Sequence, residues 1–214
     1  IKYIKQDGSV GYYQTVNKTT PVAGDVKYVD RNGDGVVDDN DRDIIGNPNP
    51  DFTYGFQTKV SWKSLSLSAS FNGVQGRDIL NVGNRYNNTP GTKSNNVTRK
   101  AFQNMWTDEN PSNLYPKSTF VVQNMVMDRY VEDGSYLRCS DITLSYVLPA
   151  KWTNKIGIKN TSVYASVKNA FVITDYSGYD PEVNSFAFDG LRPGVDMNSY
   201  PTPRSFVFGL NLTF

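Results

Sequence analysis

Apolar and polar side chains alternate with a period of two in five stretches of the chain, the pattern of a strand with one apolar and one polar face. The clearest stretch runs from Phe52 to Trp62, where one parity is apolar or aromatic except for Thr58. The alternation restarts after Lys63-Ser64, a spacing that predicts a hairpin with a very short turn. The five predicted strands are residues 52–62, 65–74, 136–148, 161–173 and 204–214.

The final predicted strand is the most regular of the five. Its apolar parity consists of Phe206, Phe208, Leu210, Leu212 and Phe214. A strand of about 11 residues that rises about 3.3 Å per residue and tilts by about 45° covers about 25 Å, the height of the apolar band of an outer membrane. The strand lengths therefore fit a transmembrane β-barrel.

The connections between the predicted strands alternate in length. They are short at 63–64 and 149–160 and long at about 75–135 and 174–203. Outer-membrane barrels have short periplasmic turns and long extracellular loops, so we expect both long loops, and residues 1–50, on the outer side. Residues 51–214 are then C-terminal barrel strands. A short helix is expected only around 98–106.

The predicted fold class is all-β, an antiparallel transmembrane β-barrel. Five strands cannot close a barrel, and an open sheet would leave unpaired backbone groups at two edges within the membrane. We therefore expect the five strands to be part of a larger barrel that includes the remainder of the same protein.

Composition and charge support this prediction and exclude other classes. Aromatic residues make up 13% of the chain although apolar residues make up only 38%, which suits two-faced strands joined by polar loops. No apolar run approaches the roughly 20 residues of a membrane-spanning helix. The net charge of +1 shows no basic surface for nucleic acid, so no nucleic-acid partner is predicted.

Few residues are suited to catalysis, and no enzyme is predicted. The chain contains no histidine, which removes His-based acid–base catalysis and the Ser-His and Cys-His dyads. The carboxylate pairs Asp108-Glu109 and Asp180-Glu182 are interpreted as solvated loop charges. Cys139 is the only cysteine and cannot form an intrachain disulfide.

Residues 30–41 have the spacing of a calcium-binding loop. Calcium prefers six to eight hard oxygen ligands, and Gly35 occupies the position of the sharp turn. The flanking residues 26–29 and 44–45 resemble strands, which favours a structural calcium clamp over an EF-hand sensor. The alternative is an Asp/Asn/Gly-rich turn without metal. The expected ligands are Asp30, Asn32, Asp34, the carbonyl of Val36, Asp38 directly or through water, and Asp41.

Seven short segments occur in an order and spacing that resemble one family. They are Gly24-Asp25-Val26-Lys27-Tyr28-Val29-Asp30 running into Asn32-Gly33-Asp34-Gly35, Ile45-Gly46-Asn47-Pro48, Pro50-Asp51-Phe52-Thr53-Tyr54-Gly55-Phe56, Phe71-Asn72-Gly73-Val74-Gln75-Gly76, Tyr136-Leu137-Arg138, Asn169-Ala170-Phe171 and Gly178-Tyr179-Asp180-Pro181-Glu182. From about residue 20 onward, the chain resembles the C-terminal region of the SusC/RagA-like TonB-dependent transporters of the Bacteroidetes outer membrane. Gly209, Leu212 and Phe214 also match the C-terminal signal that barrel-assembly machinery recognises.

This resemblance implies a function in nutrient import across the bacterial outer membrane. The family has a barrel of about 22 strands closed by a plug. The resemblance further implies that TonB supplies energy and that a SusD-like surface lipoprotein is a partner. It also implies that outer-membrane lipid surrounds the barrel and that the substrates are glycans or peptides. The chain would then contribute the last strands and loops of an importer.

Two other functions remain open from the sequence. A secreted, calcium-stabilised carbohydrate-binding β-sandwich would also show alternating strands, but both of its sheets would bury their apolar faces. A glycoside hydrolase fragment would require two positioned carboxylates, and the sequence offers no convincing pair.

Overall fold

A computed structural model describes residues 2–4, 10–12, 22–89, 96–118, 126–153, 158, 160–182, 185–186 and 188–213. The strands are β1 Lys2–Ile4, β2 Val10–Tyr12, β3 Phe52–Trp62, β4 Leu65–Gln75, β5 Asp78–Asn81, β6 Val131–Asp133, β7 Tyr136–Val147, β8 Asn160–Thr174, β9 Val195–Asp196 and β10 Ser205–Thr213. The helices are α1 Val82–Asn88, α2 Arg99–Asn104 and α3 Ala150–Thr153, with 3-10 turns at Asp39–Asp41 and Asp128–Tyr130. None of the helices in these ranges is long and apolar enough to cross a membrane.

The chain divides into two compact units, residues 1–45 with 82–130 and residues 46–81 with 131–214. In the first unit, β1 pairs with β2 in an antiparallel hairpin. Helix α2 confirms the short helix expected around 98–106, whereas α1 and α3 were not predicted. Helix α2 begins after Thr98, whose side-chain oxygen accepts a hydrogen bond from the Ala101 N–H at 3.2 Å. An oxygen at this position satisfies one of the free N–H groups of the first turn. Ala101 is fully buried.

The second unit is built on one five-stranded antiparallel sheet in the order β10-β8-β7-β4-β3. All five predicted strands are confirmed, with ends that differ from the prediction by at most one residue. Phe214 lies outside the described residues. The short turn after β3 is also confirmed, since Trp62 pairs directly with Leu65.

The two faces of this sheet differ sharply in chemistry. One row across all five strands consists of Trp62, Leu65, Tyr146, Val163 and Leu210, all of them at least 37% exposed. The opposite face carries mainly Ser, Thr, Asn and Gln side chains. A contiguous exposed apolar face of this size marks a surface that contacts lipid or protein. The β-sandwich alternative required buried apolar faces, and within the described part of this unit the apolar face of the sheet is open.

An irregularity in β7 and β8 changes which side chains share a face. Cys139 pairs with Phe171 and Asp141 with Lys168, so that Ser140 alone lies opposite two residues of β8. One of these two is Asn169, whose φ of 52° is in the left-handed region. A bulge of this kind shifts the alternation by one residue. As a result, Arg138 lies on the polar face together with Asp141.

A three-stranded sheet, in the order β6-β5-β9, lies at the end of the large sheet where β4 ends and β7 begins. Strand β5 pairs antiparallel with β6 and parallel with β9. Its residue Ile79 is fully buried, and Gly134 packs against the Ile79 side chain. Short segments of both long connections, β5 and β6 from one and β9 from the other, are therefore folded into this small sheet.

Candidate functional site

The predicted calcium loop is closed by its own carboxylates. The Asp30 carboxylate accepts hydrogen bonds from the Gly33 N–H at 2.7 Å and the Gly35 N–H at 2.8 Å. Gly33 and Gly35 have φ values of 75° and 81°, a region that favours glycine because it carries no Cβ. The two glycines thus allow the chain to wrap around the Asp30 side chain.

Asp41 closes the other end of this loop. Its carboxylate accepts from the Arg31 N–H and the Asp38 N–H, both at 2.8 Å. Partial burial raises the pKa of Asp41, but hydrogen bonds from the backbone N–H groups of Asp38, Arg31 and Asn32 outweigh it and hold the pKa below its ordinary value. Asp41 therefore stays ionised at neutral pH.

The six predicted calcium ligands occupy one loop, but their oxygens serve mainly as acceptors for backbone N–H groups. Asn32 accepts from the Asp34 N–H, and Asp34 accepts from the Val36 N–H. Among the described residues, no group of three or more His, Cys, Asp or Glu side chains converges on a point that could hold a metal ion. The flanking segments 26–29 and 44–45 belong to none of the described sheets. Calcium binding by this loop stays a prediction.

The structure reveals a second polar site that the sequence interpretation missed. The Arg138 guanidinium on β7 contacts two carboxylates, with Nη2 at 2.5 Å from Asp180 Oδ1 and Nε at 2.8 Å from Glu182 Oε2. Arg138 and Asp180 are only 5% and 3% exposed, so the interpretation of Asp180 as a solvated charge is wrong. The pair forms because the bulge places Arg138 on the polar face. We call Arg138, Asp180 and Glu182 the arginine cluster.

Asp180 also joins two distant parts of the chain. Its carboxylate accepts from the Glu182 N–H at 2.9 Å and from the Thr202 N–H at 3.0 Å. Burial raises the pKa of Asp180, but these two backbone hydrogen bonds and the Arg138 charge outweigh it and lower the pKa below its usual value. Asp180 is therefore a buried anion at neutral pH.

Further polar contacts surround the arginine cluster. The Tyr176 hydroxyl donates to Asp196 Oδ2 at 2.7 Å, and both side chains are buried. Ser177 donates to Glu132 from both its N–H and its hydroxyl, each at 2.9 Å. Arg77 donates to the Pro181 carbonyl. These contacts attach residues 176–181 of the loop after β8 to β6, to β9 and to the segment between β4 and β5.

Two of the three predicted barrel-assembly residues, Gly209 and Leu212, lie on β10. Leu212 is 42% exposed on the apolar face. Gly209 pairs directly with Tyr164, and a Cβ at Gly209 would overlap the Tyr164 ring. Phe214 lies outside the described residues, so the three-residue signal stays a prediction.

The segments Tyr136-Leu137-Arg138 and Gly178-Tyr179-Asp180-Pro181-Glu182 contained the signal for the arginine cluster. Each segment resembles the family separately, but nothing in the sequence joins residues that lie 42 positions apart. The structure shows that one segment supplies the guanidinium and the other supplies both carboxylates. The two segments are thus parts of one site.

Comparison with known proteins identifies TonB-dependent receptors as relatives of this chain. No protein-family model matches the chain. TonB-dependent receptor P26 of Formosa agariphila is 35% identical over 201 residues, which cover 90% of this chain and 20% of that receptor. TonB-dependent receptor SusC of Bacteroides thetaiotaomicron is 34% identical over 194 residues, covering 87% of this chain and 17% of SusC. The chain thus spans about one fifth of the length of the curated relatives it matches.

Solved structures show the same relationship at the level of the fold. The RagAB peptide transporter matches 80% of this chain and 18% of the matched chain, with a TM-score of 0.69 and 30% sequence identity. The RagAB peptide importer in its open-open state matches 96% of this chain and 20% of the matched chain, with a TM-score of 0.67 and 28% identity. Sequence and fold therefore lead to one group of receptors and transporters, which are not enzymes.

Proposed function

Because this chain belongs to the SusC/RagA-like TonB-dependent receptors of the outer membrane, we propose that it serves in nutrient import as part of the barrel wall. The observation that carries the proposal is the five-stranded antiparallel sheet with one exposed apolar face and one polar face. In a barrel, the apolar face contacts lipid and the polar face lines the interior.

The two free edges of the sheet support its place within a longer barrel. Strands β3 and β10 each have a neighbour on one side only, among the described strands. Unpaired backbone groups are costly inside a bilayer, so both edges require further strands. The whole protein supplies them in this proposal, together with a plug, and TonB supplies the energy.

The proposed partner is a SusD-like surface lipoprotein, and the proposed substrates are oligosaccharides or peptides. Two observations about relatives support these classes. One relative is SusC, and the matched RagAB structures are described as a peptide transporter or importer. The polar face of the sheet, with its Ser, Thr and Asn side chains, offers hydrogen-bonding groups that suit either substrate class.

The test is to delete the gene for the full-length receptor in its native host and to measure uptake of two labelled mixtures, a maltodextrin digest and a tryptic casein digest. We expect loss of uptake for one of them and its return on complementation. Purification of the receptor in mild detergent should also recover a lipoprotein. Unchanged uptake of both mixtures, with no lipoprotein recovered, would contradict the proposal.

We also propose that residues 30–41 bind calcium as a structural ligand. Support comes from the ligand spacing and from the positive φ values of Gly33 and Gly35 at the turn. Binding would require Asp30, Asp34 and Asp41 to exchange part of their backbone hydrogen bonds for the ion, which hard carboxylate oxygens favour.

Calorimetric titration of the full-length receptor with calcium tests this second proposal. We expect Asp34→Asn to weaken calcium binding. The matched control is Asp39→Asn, because Asp39 lies in the same loop but forms an exposed ion pair with Arg42 and is outside the predicted ligand set. Equal calcium affinity in the wild type and the Asp34 variant would exclude this site.

A further inference from the structure

We infer that Arg138 is a positioning residue of the transporter, holding the β8–β10 loop (residues 175–204, of which 183, 184 and 187 are not described) against the polar face of the barrel wall. The inference rests on the proposed function, because it takes the polar face as the lining of the substrate path. It goes beyond that function by naming the group that sets the position of one loop at the entrance.

The geometry of Asp180 carries the first step. Residue 180 lies near the start of the loop and Thr202 lies near its end, yet the Thr202 N–H donates to Asp180 Oδ2 at 3.0 Å. The other oxygen, Oδ1, contacts the Arg138 guanidinium at 2.5 Å. One carboxylate therefore joins both ends of the loop to β7. If Asp180 moves, both ends of the loop move with it.

The described residues in the middle of the loop contact one another and β5. The Ser185 N–H donates to the Val195 carbonyl at 2.9 Å, and the Ser185 hydroxyl lies 2.7 Å from that of Ser199. Strand β9 pairs with β5, and the Leu80 N–H donates to the Gly194 carbonyl at 2.8 Å. Segments joined by contacts of this kind open as one cooperative unit, so a displacement of the loop ends reaches the described residues between them.

The buried contact with Asp180 and Glu182 favours an arginine over a lysine at position 138. A planar guanidinium can contact Asp180 through Nη2 and Glu182 through Nε at the same time, whereas a lysine ammonium offers one compact charge. Loss of the guanidinium would leave Asp180 as a buried charge without a counter-ion. Removing one member of a buried ion pair is far more damaging than removing both.

The experiment uses the full-length receptor with its lipoprotein, expressed in cells that lack the wild-type gene. The variants are Arg138→Met, Arg138→Lys and the double variant Arg138→Met/Asp180→Asn. Arg192→Met is the matched control, because Arg192 forms an exposed pair with Asp189 in the same loop, at 3.2 Å. Three quantities are measured: the amount of receptor in the outer membrane, hydrogen exchange of peptides that contain Glu182 and Thr202, and uptake of the maltodextrin and casein digests.

For Arg138→Met we expect hydrogen exchange at Glu182 and Thr202 to accelerate by about 10- to 100-fold, the change for loss of hydrogen bonds to a buried charged group. The half-saturation concentration for uptake should rise about tenfold, while the maximal rate per assembled receptor changes less than about twofold. Arg138→Lys should restore part of the slow exchange and part of the uptake affinity. Arg192→Met should match the wild type.

Unchanged exchange and uptake in Arg138→Met would overturn the inference. If this variant does not reach the membrane, the double variant decides, because it contains no unpaired buried ion. If the double variant assembles but shows fast hydrogen exchange in the loop and weak uptake, the positioning role is supported. If the double variant fails to assemble, the inference is overturned, because Arg138 would then act in assembly. If the wild type takes up neither digest, the proposed function fails for these substrates, while hydrogen exchange still tests the position of the loop.

Discussion

Two glycines in the large sheet lie beneath aromatic rings of neighbouring strands. Gly73 pairs with Tyr54, and Gly209 pairs with Tyr164. At both positions a Cβ would overlap the ring of the paired tyrosine. A ring over a strand glycine compensates for the missing side chain, which otherwise weakens a strand. The glycine of the predicted assembly signal therefore also has a packing role.

We expect Gly209→Ala to destabilise the full-length barrel by about 1–3 kcal/mol, the usual cost of overpacking, because Tyr164 must leave its position. The measurement is the temperature at which the receptor loses its heat-modifiable mobility in electrophoresis. Gly190→Ala is the control, because no atom lies within 4 Å of the added Cβ. Recovery of stability in Gly209→Ala/Tyr164→Ser would identify the overlap as the cause, and equal stability of both single variants would contradict it.

Tyr176 provides a pH-dependent prediction. Burial, followed by the hydrogen bond to Asp196, raises the pKa of Tyr176 above its ordinary value. In the unfolded chain this tyrosine ionises at about pH 10, whereas in the folded chain it keeps its proton to higher pH. The resulting stability is complete below about pH 10 and is lost as the pH rises towards the folded pKa.

Tyr176→Phe should therefore cost about 1–3 kcal/mol at neutral pH, because the buried Asp196 loses a donor. Above about pH 10 the loss of stability with pH should be less steep in this variant. Thermal unfolding of the full-length receptor measured from pH 7 to about pH 11 checks both statements. Tyr179→Phe is the control, since Tyr179 is 74% exposed, and identical pH profiles for Tyr176→Phe and the wild type would contradict the prediction.

Alternation in the sequence was sufficient to locate all five long strands, because each strand has one apolar and one polar face. The bulge opposite Ser140 was not predictable in the same way. The alternation changes parity within β7, between Cys139 and Ile142, and only the pairing with β8 shows that Asn169 accommodates the change. The arginine cluster depends on that bulge, which explains why the sequence did not reveal it.

The turn between β3 and β4 contains a non-glycine residue in the left-handed backbone region. Lys63 has a φ of 53°, a conformation that is strained for residues branched at Cβ. We expect Lys63→Val to reduce the stability of the full-length barrel by about 1–2 kcal/mol. The measurement is again the temperature at which heat-modifiable mobility is lost.

Lys59→Val is the control, because it removes a nearby positive charge on β3 without changing the turn. Residue 59 is in the extended interior of β3, where valine is favourable, so this variant should be at least as stable as the wild type. Equal effects of the two substitutions would show that charge, and not backbone conformation, determines the outcome.

The alternation of side chains is sufficient to predict which face of the large sheet is apolar. The structure of the long loops depends instead on contacts between residues that are far apart in the chain. The small sheet β6-β5-β9 combines segments from both long connections, and none of its strands exceeds four residues. Such short strands leave no clear alternation in a sequence. Order at the loop end therefore depends on pairings and buried ions that only the folded chain reveals.

The assignment of the faces can be tested with adjacent residues of β10. Phe208 is 79% exposed on the apolar face, near the middle of the strand, and Val207 lies on the opposite face. A lysine on the lipid face near the bilayer midplane costs about 2–4 kcal/mol, whereas lumen positions accept polar residues. We expect Phe208→Lys to reduce the amount of folded full-length receptor in the outer membrane strongly, and Val207→Lys to reduce it little. Because the two positions share strand, depth and substituted residue, the opposite ranking would mean that the polar face, and not the apolar face, contacts lipid.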